Sequence, residues 1–344
     1  MSDALLATAA LEGFLRARLP GLAGPLRVEK IGGGQSNPTF FASFDNRRLV
    51  LRTKPGGQTL PSAHAIDREY RVMAALAGSA LPVPPVLVYH PGTDVLGTPF
   101  YVVEGVEGRV FNDNSLPGVD PAGRRALYLA MAETLARLHA VDWRAAGLEG
   151  FGREGQYFQR QLRRWQQQWD LSRTRDNPAI DRLIAWLGAH LPGDDETTLT
   201  HGDYKLNNLL FHSGEPRVAA VLDWELSTLG HPLADVAFST VAWRTLPAEY
   251  GGIRGLDLQA LGIPGEAEYL AHYYRCAGRD DPARQARPFH WAFAFMRWAV
   301  IFEGIAARAQ RGNAVSDNAA EVGALGLALA RRGLEAIETP APAL

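Results

Sequence analysis

Short runs of apolar and aromatic residues, separated by turn residues, dominate the first 105 positions of the chain. Glycines follow the first run and Asp45-Asn46 follows the second, which is typical of antiparallel strands joined by tight turns. The predicted strands cover residues 26–31, 39–44, 48–52, 86–89 and 100–104. Helical spacing predicts one internal helix over 65–76 and a short amphipathic helix near the N-terminus. Residues 1–105 are therefore expected to form a small lobe built on an antiparallel sheet.

The hydrophobic pattern changes to helical spacing after this lobe. Asp120-Pro121 supplies a helix N-cap followed by proline at the first helical position, and an apolar stripe continues from Leu127 to Leu138. Further helices are predicted over 157–169, 179–190, 267–275, 288–309 and 319–337, with one β-rich insertion at 209–224. We expect an α+β fold of two lobes, in which 106–338 form the larger helical lobe and 339–344 a flexible tail.

Composition and charge exclude several classes of function. The 344 residues include 35 Lys and Arg against 37 Asp and Glu, so the basic excess that marks nucleic-acid binding is absent. The single cysteine, Cys276, excludes an internal disulfide and a cysteine-based zinc site. The start of the chain lacks the basic region of a secretory signal, and Arg297 interrupts the most apolar late stretch. We therefore expect a cytoplasmic protein that does not bind membranes.

One segment carries most of the chemical information. It reads His201-Gly202-Asp203, followed by Asn208, and Asp223 comes fifteen residues after that asparagine. Phosphoryl transfer needs an aspartate that orients the attacking hydroxyl and accepts its proton. It also needs an amide oxygen and a second carboxylate that hold magnesium against the nucleotide phosphates. The spacing, with strands predicted on either side of Ser213-Gly214, supplies these groups from one compact stretch.

These motifs resemble the aminoglycoside phosphotransferase-like superfamily, which has a protein-kinase-like fold. The resemblance covers essentially the whole chain. Within the superfamily, further segments resemble the kinase-like domain that is fused to, or encoded beside, acyl-CoA dehydrogenases. Those segments are Leu49-Val50-Leu51-Arg52, Pro61-Ser62-Ala63-His64, Asp67-Arg68-Glu69-Tyr70, Phe295-Met296-Arg297 and Glu303-Gly304-Ile305. The branch implies ATP- and Mg²⁺-dependent phosphorylation of the hydroxyl of a 4-hydroxyacyl-CoA, with an acyl-CoA dehydrogenase as a functional partner.

The resemblance assigns roles to the residues of the motif. Asp203 would be the catalytic base, and Asn208 and Asp223 would ligate magnesium. Lys205 would reach the γ-phosphate as a point charge, although a solvated loop lysine has the same sequence signature. Glu225 has two readings, a helper of the metal site or no direct role. His201 and Asp235 are expected to hold the loop in place.

In the small lobe, a glycine-rich stretch lies between two strands, where a phosphate-covering loop belongs. Its candidate phosphate contacts are Gly33, Gly34, Ser36 and Asn37. The stretch departs from the Gly-x-Gly-x-x-Gly pattern of protein kinases. A second departure places Arg52 where kinases carry a lysine, with Lys54 on the same predicted strand face. We favour Arg52 as the phosphate contact, because its fork suits phosphate oxygens, and Glu69 as its ion-pair partner.

Two further assignments complete the predicted site. The backbone near Glu104 and Val106 is expected to pair with adenine at the hinge between lobes. The helix at 157–169 carries Arg160, Arg163, Arg164, Trp165 and Trp169. It could face coenzyme A, or it could be an ordinary helix with a charged face and tryptophans in the core.

Other functions remain open on the sequence alone. They are phosphorylation of aminoglycosides or macrolides, phosphorylation of another small alcohol such as choline or a sugar, and a nucleotide-binding pseudokinase. The intact Asp203, Asn208 and Asp223 argue against the last of these.

Overall fold

The computed structural model describes residues 8–32, 37–54, 66–310 and 319–338, which fall into two compact units. The described residues up to Gly108, together with Ala219–Leu226, form the first unit, and Arg109–Val218 with the described residues from Ser227 onward form the second. The sequence placed 219–226 in the second lobe. They belong to the first unit, and one of their contacts there is the Val221 N–H donating to the Pro82 carbonyl at 2.9 Å.

A five-stranded antiparallel sheet forms the centre of the first unit, in the order β1-β2-β3-β5-β4. Its elements are α1 (Thr8–Arg18), β1 (Arg27–Lys30), β2 (Thr39–Ser43), β3 (Arg48–Thr53), α2 (Ile66–Leu76), β4 (Val86–His90) and β5 (Phe100–Glu104). These match the predicted strands and helix within about two residues. The 3₁₀ turn Trp224–Leu226 packs on α2.

Alternation along β3 sends its residues to two different environments. Leu49 and Leu51 are fully buried in a core with Leu11 and Leu15 of α1. Arg52 lies on the opposite face and stands directly across from Tyr101 of β5. Because side chains alternate along the strand, one face of β3 packs in the apolar core and the other face carries Arg52, a residue of the predicted site.

The second unit is mainly helical. Its elements are α3 (Pro121–His139), α4 (Tyr157–Ser172), α5 (Pro178–Ala189), β6 (Thr198–Thr200), β7 (Leu209–Phe211), β8 (Val218–Val221, which passes into the first unit), β9 (Thr228–Gly230), α6 (Pro232–Ser239), α7 (Val241–Arg244), α8 (Leu258–Leu261), α9 (Glu266–Cys276), α10 (Pro288–Gln310), α11 (Ala319–Ala324) and α12 (Gly326–Glu338). Asp120 caps α3 by accepting from the Gly123 N–H, and Pro121 begins it, as the sequence predicts.

Helix α10 lies at the centre of this unit and packs against α4, α5, α6 and α12. It is buried around most of its circumference because neighbours cover it on several sides. The last predicted helix is interrupted at Leu325, whose N–H bonds to the Val322 carbonyl three residues back. Within the described part of the chain, no helix combines the length and apolar character needed to cross a bilayer. The predicted tail, 339–344, lies outside the described residues.

Candidate active site

The loop that carries the predicted base begins where β6 ends. Gly202 adopts a φ of +82°, a backbone conformation that glycine reaches without the steric cost that other residues meet. A 3₁₀ turn, Leu206–Asn208, follows and leads directly into β7. The tight turn at Gly202 and the 3₁₀ turn bring Asp203 and Asn208 together, five residues apart.

Asp235 holds the backbone of this loop in place. Its side chain is 1% exposed and accepts hydrogen bonds from the backbone N–H groups of His201 at 2.6 Å and Gly202 at 2.9 Å. Burial would raise the pKa of Asp235, but His139 and the His201 N–H outweigh burial and hold the pKa below its ordinary value. Asp235 is thus an ionised anchor of the loop backbone, the structural role that the sequence predicts.

Two further groups hold the loop. The Asp203 N–H donates to His201 Nδ1 at 3.2 Å, and His201 is fully buried. Arg297, in the middle of α10, donates to the Gly202 carbonyl, and its guanidinium lies over the rings of Trp165 and Phe238. Sequence analysis named Arg297 as a break in an apolar stretch and within a family resemblance, but it did not predict this contact, which spans 95 residues.

The Asp203 carboxylate is partly exposed and has two polar neighbours. Its Oδ2 accepts from Asn208 Nδ2 at 2.8 Å and lies 2.9 Å from Lys205 Nζ. The side chains of Asp203 and Lys205 are 19% and 26% exposed, so solvent reaches both. A carboxylate in this state can accept a proton, and the ammonium beside it can move to a phosphate oxygen.

Asn208 is oriented by two bonds. Its Nδ2 donates to the backbone carbonyl and to the carboxylate of Asp203, both at 2.8 Å. No hydrogen bond between described residues uses Asn208 Oδ1. This amide oxygen is the kind of hard donor that magnesium prefers, so the residue fits the predicted ligand role.

In the first unit, Arg52 is the centre of an ion-pair network. Its Nε lies 3.0 Å from Glu69 Oε2, its Nη2 donates to Asp223 Oδ1 at 2.8 Å, and Glu225 lies 3.8 Å away. Burial would lower the pKa of Arg52, but these carboxylates outweigh burial and raise it. The predicted Arg52–Glu69 pair is confirmed. Arg52, and not Lys54, is the partner of Glu69.

Glu69 is held by two residues besides Arg52. Tyr101 donates its hydroxyl to Oε2 at 2.9 Å, and Asn37 donates its Nδ2 to Oε1 at 2.6 Å. The sequence assigned Asn37 to the phosphates, but its side chain is buried and its amide N–H is committed to Glu69. Tyr101 was missed, although its position opposite Arg52 in the β3–β5 register is the signal that points to it.

Asp223 occupies a turn with a φ of +62°, which aspartate tolerates better than most side chains. Its carboxylate bonds to Arg52, and about a quarter of its side chain is exposed. Asp223 therefore keeps surface available for a cation, and its oxygens suit magnesium. Gly33, Gly34 and Ser36 lie outside the described residues.

The predicted hinge is part of the sheet. The Glu104 N–H donates to the Pro85 carbonyl, and the Gly105 N–H donates to the Arg48 carbonyl, both at 2.9 Å. A Cβ at Gly105 would come within 2.5 Å of that carbonyl oxygen, so glycine is required there. The Glu104 side chain pairs with Arg47. Between described residues no hydrogen bond engages the backbone of Val106.

The helix suspected of facing coenzyme A behaves mainly as a packing element. Trp169 is buried and donates its indole N–H to Asp181 at 2.8 Å. Arg160 donates to backbone carbonyls of the preceding loop, including that of Arg153. Helix α4 packs on α5 and α10, and none of its residues lines the cavity described next.

The second unit contains a cavity of about 390 Å³ that sequence analysis missed. Lys205, Leu206 and Asn207, between Asp203 and Asn208, form part of its wall. Six aromatic side chains contribute to the remainder of the wall, those of Phe111, Tyr128, Phe238, Trp243, Tyr250 and Trp298, and uncharged polar residues such as Asn112, Asn114, Ser239 and Thr245 also line it. Among the described residues that line it, none is Asp or Glu, and Lys205 is the only charged one. Its size suits a small ligand.

An anchored aspartate and an adjacent asparagine on one loop are groups that phosphoryl transfer requires. The sequence model of the phosphotransferase enzyme family matches residues 27–286, and the chain belongs to this family.

Among named relatives, the chain is 45% identical over 320 residues to acyl-CoA dehydrogenase family member 10 of Mus musculus. This match covers 92% of the chain and 30% of the mouse protein. It is 43% identical over 333 residues to acyl-CoA dehydrogenase family member 11 of Gallus gallus, covering 94% of the chain and 43% of the chicken protein. The chain thus spans less than half the length of these relatives.

Solved structures give the same fold. A Ralstonia eutropha protein, provisionally assigned as an aminoglycoside phosphotransferase, is 44% identical with a TM-score of 0.87, over 97% of this chain and 99% of that one. A macrolide 2'-phosphotransferase from Brachybacterium faecium is 21% identical with a TM-score of 0.61, over 92% and 97% of the two chains. The α+β, kinase-like fold expected from the sequence is confirmed.

Proposed function

We propose that the protein transfers the γ-phosphoryl group of ATP to the hydroxyl of a small molecule, and that this molecule is a 4-hydroxyacyl-CoA. The observation that carries the choice of acceptor is the aromatic cavity without carboxylates beside residues 205–207. The acyl portion is the part of the thioester that suits such a wall.

The proposed chemistry follows from the loop. Asp203 accepts the proton of the acceptor hydroxyl while the oxygen forms its bond to the γ-phosphorus. The bond between the γ-phosphorus and the bridging oxygen breaks, and ADP leaves with the electron pair. Asp235, by fixing the backbone of His201 and Gly202, keeps Asp203 oriented for this step. Lys205 moves from Asp203 to the transferring phosphoryl group, where its charge offsets the negative charge of the oxygens.

Magnesium, when bound with ATP, would neutralise phosphate charge, and the oxygens available to hold it are Asn208 Oδ1 and the Asp223 carboxylate. Arg52, held by Glu69, would contact the phosphates with its fork. Gly33, Gly34 and Ser36 are proposed to cover the phosphates through backbone and hydroxyl donors. Asn37 would act through Glu69. The backbone at Glu104 and Val106 would receive adenine.

Charge separates the proposed acceptor from an antibiotic. A polycationic aminoglycoside needs carboxylates around it, since burying an unpaired ammonium costs several kcal/mol. The cavity offers none among its described lining residues, and Lys205 would repel such a ligand. An acyl chain with one hydroxyl meets no such penalty. The names of relatives that are 39–45% identical also support an acyl-CoA acceptor and an acyl-CoA dehydrogenase as functional partner.

The test is magnesium-dependent ATP consumption measured with 4-hydroxyvaleryl-CoA, kanamycin, erythromycin and choline, beside a blank without acceptor. Turnover with the thioester alone, abolished in Asp203→Asn and by chelation of the metal, is the expected result. Turnover with kanamycin or erythromycin instead would assign the protein to antibiotic phosphorylation. Nucleotide binding without turnover of any acceptor would contradict the proposal and favour a pseudokinase.

A further inference from the structure

Tyr250 has a backbone conformation that its side chain disfavours. Its φ is +66°, in the left-handed region, where a bulky side chain is a true outlier. The two following residues are glycines, and a glycine at position 250 would relax the same turn. Among the described non-glycine residues, only Leu116, Gln156 and Asp223 share a positive φ. Strain of this kind is informative when the surrounding structure enforces it.

Bonds on both sides of Tyr250 enforce the conformation. The Glu249 carboxylate accepts two bonds from the Arg332 guanidinium, each at 2.8 Å, and one from the Leu246 N–H at 2.9 Å. The Gly251 carbonyl accepts from Asn114 Nδ2 at 2.7 Å. The turn therefore cannot relax by shifting its neighbours, and the strain stays at Tyr250.

The side chain explains why a strained tyrosine stands there. Its ring lies edge-on to Trp298 and Phe302, with centroid distances of 5.5 and 5.0 Å. Tyr250 and Trp298 both line the cavity beside the catalytic loop. The residue is still 45% exposed, and no hydrogen bond between described residues engages its hydroxyl. The ring thus offers an apolar face and an unused donor to the cavity.

We propose that Tyr250 binds the acceptor and determines which acceptors enter. Its ring forms the wall against which the acyl chain packs, and its hydroxyl donates to the thioester carbonyl. This inference rests on the proposed function and deepens it. A purely structural explanation, in which the ring only fastens the loop 245–255 to α10, predicts loss of stability and unchanged acceptor affinity.

Two substitutions at this position separate backbone from side chain. Tyr250→Gly removes the ring and the strain together. We expect the KM for 4-hydroxyvaleryl-CoA to rise roughly 10- to 100-fold, as for the loss of an aromatic contact that the bound acyl chain would bury. The KM for ATP and the thermal midpoint should stay near their wild-type values, because relief of strain offsets the lost packing. Tyr250→Phe keeps the ring and should raise the KM for the thioester about 2- to 10-fold.

Two matched variants serve as controls. Leu246→Ala changes an exposed side chain of the same loop that does not line the cavity. Gln156→Gly relieves a positive φ of 47° elsewhere in the second unit. Both should retain the wild-type KM for the thioester. Binding of the thioester is measured in parallel by quenching of tryptophan fluorescence, since Trp243 and Trp298 line the cavity.

The outcomes are distinguishable. An active wild-type protein whose acceptor KM is unchanged in Tyr250→Gly would overturn the role of Tyr250 and leave the proposed function standing. A large fall in the thermal midpoint of Tyr250→Gly with an unchanged acceptor KM would also overturn the role of Tyr250, and it would show that the ring only packs the loop against α10. A wild-type protein that neither binds nor phosphorylates the thioester would overturn both proposals.

Discussion

The contact between Asp235 and the loop that carries Asp203 gives a prediction for both stability and turnover. The carboxylate receives the N–H groups of His201 and Gly202 in a site that is 1% exposed. A hydrogen bond to a charged group contributes about 1.5–3 kcal/mol. Asp235→Ala removes two such hydrogen bonds and leaves two buried N–H donors without an acceptor. We therefore expect a loss of about 3–6 kcal/mol in the free energy of unfolding.

The chain offers a matched control for this variant. Asp142 also accepts two backbone N–H bonds, from Arg144 at 3.1 Å and Ala145 at 3.0 Å, but it is exposed. Water replaces these bonds when the carboxylate is removed, so Asp142→Ala should cost only about 1 kcal/mol. Burial, and not the number of bonds, then accounts for the difference between the two variants.

Urea unfolding followed by tryptophan fluorescence measures both losses, and steady-state kinetics measures the effect on the loop. Because Asp203 follows the two anchored residues directly, displacement of the loop by about 1 Å should lower kcat roughly 100-fold. Asp235→Asn keeps one acceptor oxygen and should lie between wild type and Asp235→Ala in both measurements. If Asp235→Ala and Asp142→Ala lost equal stability and kept equal kcat, the assigned anchoring role would be wrong.

Four further expectations concern the remaining site residues and the acid stability of the fold. Because the pKa of Asp235 is lowered in the folded state, its ionised form stabilises the protein above the ordinary Asp pKa of about 3.9, and this stability is lost as the pH falls through the lowered pKa. Asp235→Asn should therefore make the free energy of unfolding depend less on pH below about pH 4. Asp203→Asn should lower kcat by about 10²–10⁴ with little change in ATP affinity measured by calorimetry, and an unchanged kcat would refute the base assignment. Arg52→Met leaves Glu69 buried without its cation and should cost about 3–5 kcal/mol in urea unfolding, with partial recovery in Arg52→Lys. Glu104→Ala breaks only a half-buried ion pair and should change the KM for ATP less than twofold, since the adenine contact is proposed for the backbone.

Most of the fold was predictable because its elements follow from local patterns. Each strand of the first unit is bounded by turn residues, and α3 begins with an N-cap and a proline. The short pair β6 and β9 was missed, since three residues per strand are too few to show a period. Helix α6 was missed for a different reason, because all eight of its residues are buried and no polar face marks its spacing.

The residues of the site also fall into a group that local sequence patterns predict and a group that they do not. Asp203, Asn208 and Asp235 belong to one motif, so their mutual placement could be anticipated. The partner of Asn37 lies 32 residues away on α2, and neither propensity nor periodicity encodes that pairing. The cavity was harder to predict, because the residues of its wall lie far apart in the sequence, between Phe111 and Trp298, and meet only through helix packing. Long-range packing is what sequence patterns do not contain.

The hydrogen bond between Arg52 and Asp223 joins residues 171 positions apart within the first unit. A ribosome adding about 5–20 residues per second makes that interval roughly 10–35 s of synthesis. During this time the first unit lacks the segment 219–226, and of the carboxylates that pair with Arg52 only Glu69 has been synthesised. The N-terminal unit therefore becomes complete only after nearly half of the second unit has been translated, and a fragment that stops at residue 108 would lack a piece of its own structure.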